Sequence, residues 1–145
     1  MMRNAIILAL GLTLAAGASW AEGMVHKVAV HVNENDPKVM NIALNNVQNV
    51  TNYYEAKSDT VQVEVVTYGP GLHMLIEGSS PVADRIATMS LALENLSFRA
   101  CGNTHRVMSE RKGEDIVLLD EASMVPSGVV RLIELQEDGY AYVKP

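Results

Sequence analysis

Hydrophobic positions along the chain alternate between two periods. Val25 to Val32 is a β-branched stretch that reads as a strand, and it runs into Asn33-Glu34-Asn35-Asp36-Pro37. Asp36 there suits a helix N-cap and Pro37 the first helical turn. Val39, Ala43, Val47, Val50 and Tyr54 then recur at spacings of four and three, with Asn41, Asn45, Gln48, Asn49 and Asn52 between them. That is the pattern of a helix lying on a sheet. Val61 to Tyr68 predicts a second strand, broken by Gly69-Pro70-Gly71. Leu72 to Glu77 reads as a short turn or helix, and Ser80-Pro81 restarts a helix with Val82, Ile86, Met89 and Leu93 along one stripe.

A third strand is expected over Leu96 to Ala100, ending at Cys101-Gly102-Asn103-Thr104. Val107 and Met108 fit a following helix that Gly113 stops. The Ile116-Val117-Leu118-Leu119 run fits a buried helical turn or a strand equally, since periodicity does not separate the two. Met124-Val125 predicts a fourth strand. Ser127 is placed to cap a helix carrying Val129, Leu132 and Ile133, Gly139 to end it, and Tyr140 to Val143 to form a last strand. Alternation of strand and helix implies an α/β fold with a mostly parallel sheet of about five strands, covered on both faces through right-handed crossovers. Every strand then ends at one edge, and four loops converge there: Asn33 to Asp36, Tyr68 to His73, Cys101 to His105, and Pro126 to Gly128. Ligands of such sheets sit at that edge.

The N-terminal residues stand apart from this pattern. Met1 to Gly23 has the form of a secretory signal: Arg3, an apolar run from Ala5 to Ala16, and Ser19 and Ala21 as small residues before a cut expected after Ala21. The apolar run is shorter than the roughly 20 residues a spanning helix needs, so cleavage and release to the periplasm are expected, with no membrane attachment afterwards. Residues 22–145 then form one domain.

Composition narrows the chemistry. The 145 residues carry 17 Asp and Glu against 11 Lys and Arg, a formal net charge of −6. No basic cluster is present to release counterions from phosphates, which argues against nucleic acid. The single cysteine precludes an intramolecular disulfide and the usual Cys-rich zinc spacings. No His pair has helical metal spacing and the eight methionines are scattered, so no metal is expected. Gly69-Pro70-Gly71 lacks the G-x-G-x-x-G order and a phosphate-binding lysine, and no other cofactor is implied. His26 and His31 read as surface or satisfied core residues.

Cys101 is the candidate reactive group, because a strand end feeding a helix start directs backbone N–H groups at the side chain and favours a thiolate. Gly102 permits close approach to the sulfur, and Asn103 and Thr104 add donors. His105 or His73 is placed to move a proton, with Tyr68, Gly69 and Ser127 on neighbouring loops as supporting residues. The competing reading is a small buried hydrophobe.

The stretches Val65-Val66-Thr67-Tyr68-Gly69-Pro70-Gly71, Ala100-Cys101-Gly102-Asn103-Thr104 and Val125-Pro126-Ser127-Gly128-Val129 resemble the DsrE/DsrF-like (YchN-like) family. Ala43-Leu44-Asn45-Asn46 and Glu137-Asp138-Gly139-Tyr140-Ala141-Tyr142 extend the resemblance over the domain. It implies a flavodoxin-like three-layer sandwich and a homo-oligomer, trimer or hexamer. For sulfur-relay members it also implies a cysteine that carries persulfide sulfur between a donor and an acceptor, here Cys101. His105 departs from the methionine expected after Asn-Thr, and export departs from the cytoplasmic setting of those members. The expected function is thus a sulfur carrier or sulfurtransferase. The alternatives are a non-catalytic ligand-binding or assembly module and a thiol redox sensor.

Overall fold

Five short runs of β-branched and small residues form the strands of a single parallel sheet in a computed structural model that describes residues 23–145. The signal segment, Met1 to Ala21, lies outside the described residues. The strands are β1 (Val25–Val32), β2 (Thr60–Thr67), β3 (Leu96–Cys101), β4 (Ala122–Val125) and β5 (Ala141–Val143), in the order β4-β3-β2-β1-β5. All neighbours are parallel, with Val28 opposite Val63, Val65 opposite Phe98, Cys101 opposite Val125 and Ala29 opposite Tyr142. The helices are α1 (Pro37–Glu55), α2 (Ala83–Ala92), α3 (Gly102–Lys112) and α4 (Gly128–Glu137). The architecture is the flavodoxin-like three-layer sandwich.

Strand alternation divides the core in two. Val28, Val30 and Val32 of β1, Val63 and Val65 of β2, and Phe98 and Ala100 of β3 pack beneath the helices that follow β1, β2 and β3. On the other face Ala29 and Val66 meet Leu132 and Leu135 of α4, the single described helix on that side. The second face is more polar. Glu64, 4% exposed, receives Arg131 in a two-pronged pair at 2.6 and 3.0 Å and Arg99 at 3.3 Å. Burial by itself raises the Glu64 pKa, but the two guanidiniums outweigh it and hold the carboxyl below its ordinary value. The same contact raises Arg131.

Several local expectations change. Asp36 does cap α1, its side chain accepting the Lys38 N–H at 2.7 Å. The buried stripe, however, is Met40, Ala43, Leu44, Val47 and Thr51; Val39, Val50 and Tyr54 lie at its margin. The Gly-Pro-Gly loop and the turn after it are one 3-10 helix, Gly69–Leu75, which buries Leu72, Met74 and Leu75. The Ile116 to Leu119 run is neither helix nor strand: Leu118 makes an isolated antiparallel bridge with Ile76, and Glu77 and Leu119 donate to Val117 and Leu75 at 2.9 Å each. Val129 and Ile133 of α4 are half-exposed, and Leu132 and Leu135 fill the core in their place. Gly113 ends α3 as expected, in the left-handed region at φ 77°, where an L side chain is strained. Among the described residues no helix is long and apolar enough to cross a membrane.

Candidate functional site

Cys101 is the last residue of β3 and the N-cap of α3. The same parity that puts Phe98 and Ala100 under the helices of the first layer turns Cys101 toward α4. There it meets the start of a second helix. A Cβ added to Gly128, the first residue of α4, would lie 3.1 Å from the Cys101 Cβ and 3.1 Å from both the Cβ and Cδ1 of Tyr68. Residue 128 must therefore be small for two helix beginnings to share one sulfur.

The sulfur is buried, with Cys101 5% exposed. Burial is the largest single influence and pushes the thiol pKa up; the Gly128 N–H, the Thr104 hydroxyl and the N–H groups of Thr104 and Asn103 act against it and prevail. The net direction is down. The Cys101 side chain makes no capping hydrogen bond at the start of α3, and N–H and O–H donors directed at a thiol favour its anion. Thr104 is set for this. Its Oγ1 accepts the Gly69 N–H at 2.9 Å, which leaves its own proton to donate toward the sulfur. The first residue of the 3-10 helix thereby orients a donor on α3.

The other expected residues divide between two places. Gly69, His73, Asn103 and Thr104 line a cavity of about 500 Å³ on the α3 side of the rim. His73 contacts Ser79 through Nδ1 at 3.4 Å. His105 is engaged elsewhere through Nε2, which bonds the Ile116 carbonyl at 2.7 Å and pins the irregular segment after α3. Ser127 occupies the N-cap position of α4, yet its side chain makes no capping bond. Gly102 sits against the β4 exit, where a Cβ would come 3.0 Å from the Val125 carbonyl oxygen.

Two groups were not anticipated. Gly128 stands at a helix start after Ser127, and its contact with Cys101 crosses strands in a way no local spacing encodes. His31 is 4% exposed, bonds Tyr142 through Nδ1 at 2.7 Å and packs on the Tyr68 ring at 4.5 Å; its Nε2 has no partner. It is thus not the satisfied core histidine expected. Burial, and then the charge of Lys144, lower its pKa and favour the neutral ring. Tyr68 joins this histidine to Gly128 and hence to the wall of the sulfur site. Among the described residues no three or more His, Cys, Asp and Glu side chains converge as a metal site.

Gly128→Ala tests the shared-sulfur arrangement. The new methyl displaces the α4 start by a few tenths of an ångström, withdraws the Gly128 N–H and destabilises the protein by about 1–2 kcal/mol. The pH midpoint for Cys101 alkylation is expected to rise relative to the parent, measured with iodoacetamide. An unchanged midpoint would show that this N–H does not act on the sulfur.

No family model matches the chain, and no curated protein matches it. Among solved structures, a protein of unknown function from Methanobacterium thermoautotrophicum superposes with a TM-score of 0.68 at 27% identity, over 83% of this chain and 99% of that one.

Proposed function

We propose that this chain is an exported sulfur carrier of the DsrE/DsrF-like kind, with Cys101 as the residue that holds the sulfur. The observation that carries this reading is the seat of Cys101 at the end of β3 and the start of α3, against the first residue of α4, where donors from both helix starts lower its pKa in spite of burial. A thiolate is the nucleophile that sulfur transfer needs. It attacks the outer sulfur of a polysulfide or thiosulfate. One S–S bond forms at Cys101, the donor's S–S bond breaks, and the electron pair leaves with the shortened polysulfide or with sulfite. An acceptor nucleophile later takes the outer sulfur and Cys101 departs as thiolate. Each step conserves electrons. The outer sulfur of the persulfide stands one bond, about 2.05 Å, from Sγ.

Assembly fits the same reading. Val129, Val130 and Ile133 of α4 are each about half-exposed on the thinly covered face, and such a stripe suits the contact between copies in a trimer or hexamer. The signal segment would direct the domain to the periplasm. A second reading, a non-catalytic ligand-binding or assembly module, draws on the near-complete burial of Cys101. Mass spectrometry of the mature protein after polysulfide exposure separates the two: the carrier gains sulfur at Cys101, and the module keeps a free thiol with no adduct.

A further inference from the structure

In a protein of net charge −6, the cavity on the α3 side of the rim has no carboxylate in its lining, whereas the groove between α1 and α2 includes Asp84 and the one on the outer side of α3 includes Glu110, Glu114 and Asp115. Its apolar part comes from Pro70, Val107 and Met108, and its polar part includes Asn103, His73 and Arg111. Arg111 differs from its neighbours. Arg106 pairs with Glu110 and Lys112 with Glu114, each at 2.8 Å, but Arg111 has no ion pair or side-chain hydrogen bond among the described residues. The His73 contact with Ser79, at 3.4 Å through Nδ1, leaves Nε2 uncommitted. A volume of about 500 Å³ is within the usual range for small-molecule sites.

We infer that this cavity binds a small organic anion, its apolar body against Pro70, Val107 and Met108 and its acidic group toward Arg111. Asn103 and Thr104 belong both to this lining and to the donor set around Cys101. An occupant that draws on the Thr104 hydroxyl, or brings negative charge beside it, weakens support for the thiolate. By linkage the thiolate and the occupant disfavour each other. This coupling rests on the sulfur-carrier reading; the binding does not.

The probe is 8-anilinonaphthalene-1-sulfonate, which joins two aromatic groups to one fixed negative charge. Titration followed by fluorescence is expected to give one site per chain, weakened by added salt. Arg111→Met, at an exposed position, should loosen binding about tenfold, and Arg111→Lys should recover part of it, with circular dichroism unchanged in both. Ile133→Ser, on the half-exposed α4 stripe, should leave it unaltered. Equal affinity in Arg111→Met, or loss of binding in Ile133→Ser, would overturn the site. Saturating probe should also slow Cys101 alkylation at neutral pH. Binding without that slowing overturns the coupling alone, and absence of polysulfide loading with the probe still bound removes the sulfur reading and leaves the anion site.

Discussion

Cys101→Ser is expected to abolish sulfur loading completely while leaving the fold intact. Serine forms no persulfide, and its hydroxyl is a far weaker acid than a thiol. Unfolding would not account for the loss, because residue 101 is the N-cap of α3 and serine is among the preferred residues at that position. Circular dichroism and thermal unfolding should match the parent or improve on it slightly. The mass increase after polysulfide exposure should be absent. Sulfur retained by the variant would place the chemistry elsewhere and remove the account given for Cys101.

Gly71→Ala should have the largest effect on stability. A Cβ at this position would lie 2.2 Å from the carbonyl oxygen of Val32, 2.6 Å from its carbon and 2.7 Å from the Cα of Asn33. These are backbone atoms, and Val32, the last residue of β1, is held by its pairing with Thr67 of β2. The 3-10 helix has to move instead. That opens the packing of Leu72, Met74 and Leu75, all fully buried, and draws the Gly69 N–H away from Thr104. A loss of about 3 kcal/mol is expected, seen as a fall of roughly 10 °C in Tm. A variant within about 1 kcal/mol of the parent would mean that the loop yields freely and does not hold Thr104.

The architecture was legible because each strand and helix carries its own period. The β-branched run from Val25 to Val32 and the Asp36-Pro37 start marked the first βα unit, and the succession of such units implied the parallel sheet. Cys101 was legible for the same reason, as the junction of a strand and a helix. What stayed hidden depends on contacts between distant elements. Of the apolar residues expected on α4, Leu132 is buried and Val129 and Ile133 are half-exposed; all are equally apolar in the sequence, and only the position of the helix over β1 to β3 decides which of them turn inward. The Ile116 to Leu119 run pairs with Ile76, just past the 3-10 helix, through a single bridge, and no local period marks such a contact. His105 read as a neighbour of the sulfur by sequence distance, but the helix carries its ring toward Ile116. His31 was passed over because burial and the bond to Tyr142 join positions 111 residues apart.

The most direct test of the central claim is the rate of Cys101 alkylation by a small neutral reagent as a function of pH, on the folded mature protein. Donors from α3 and α4 that outweigh burial predict a midpoint below about pH 8.5, the ordinary thiol value. A midpoint at or above that value, with the protein shown to be folded, would contradict the account: Cys101 would be a packed thiol, and the two helix starts would not act on it.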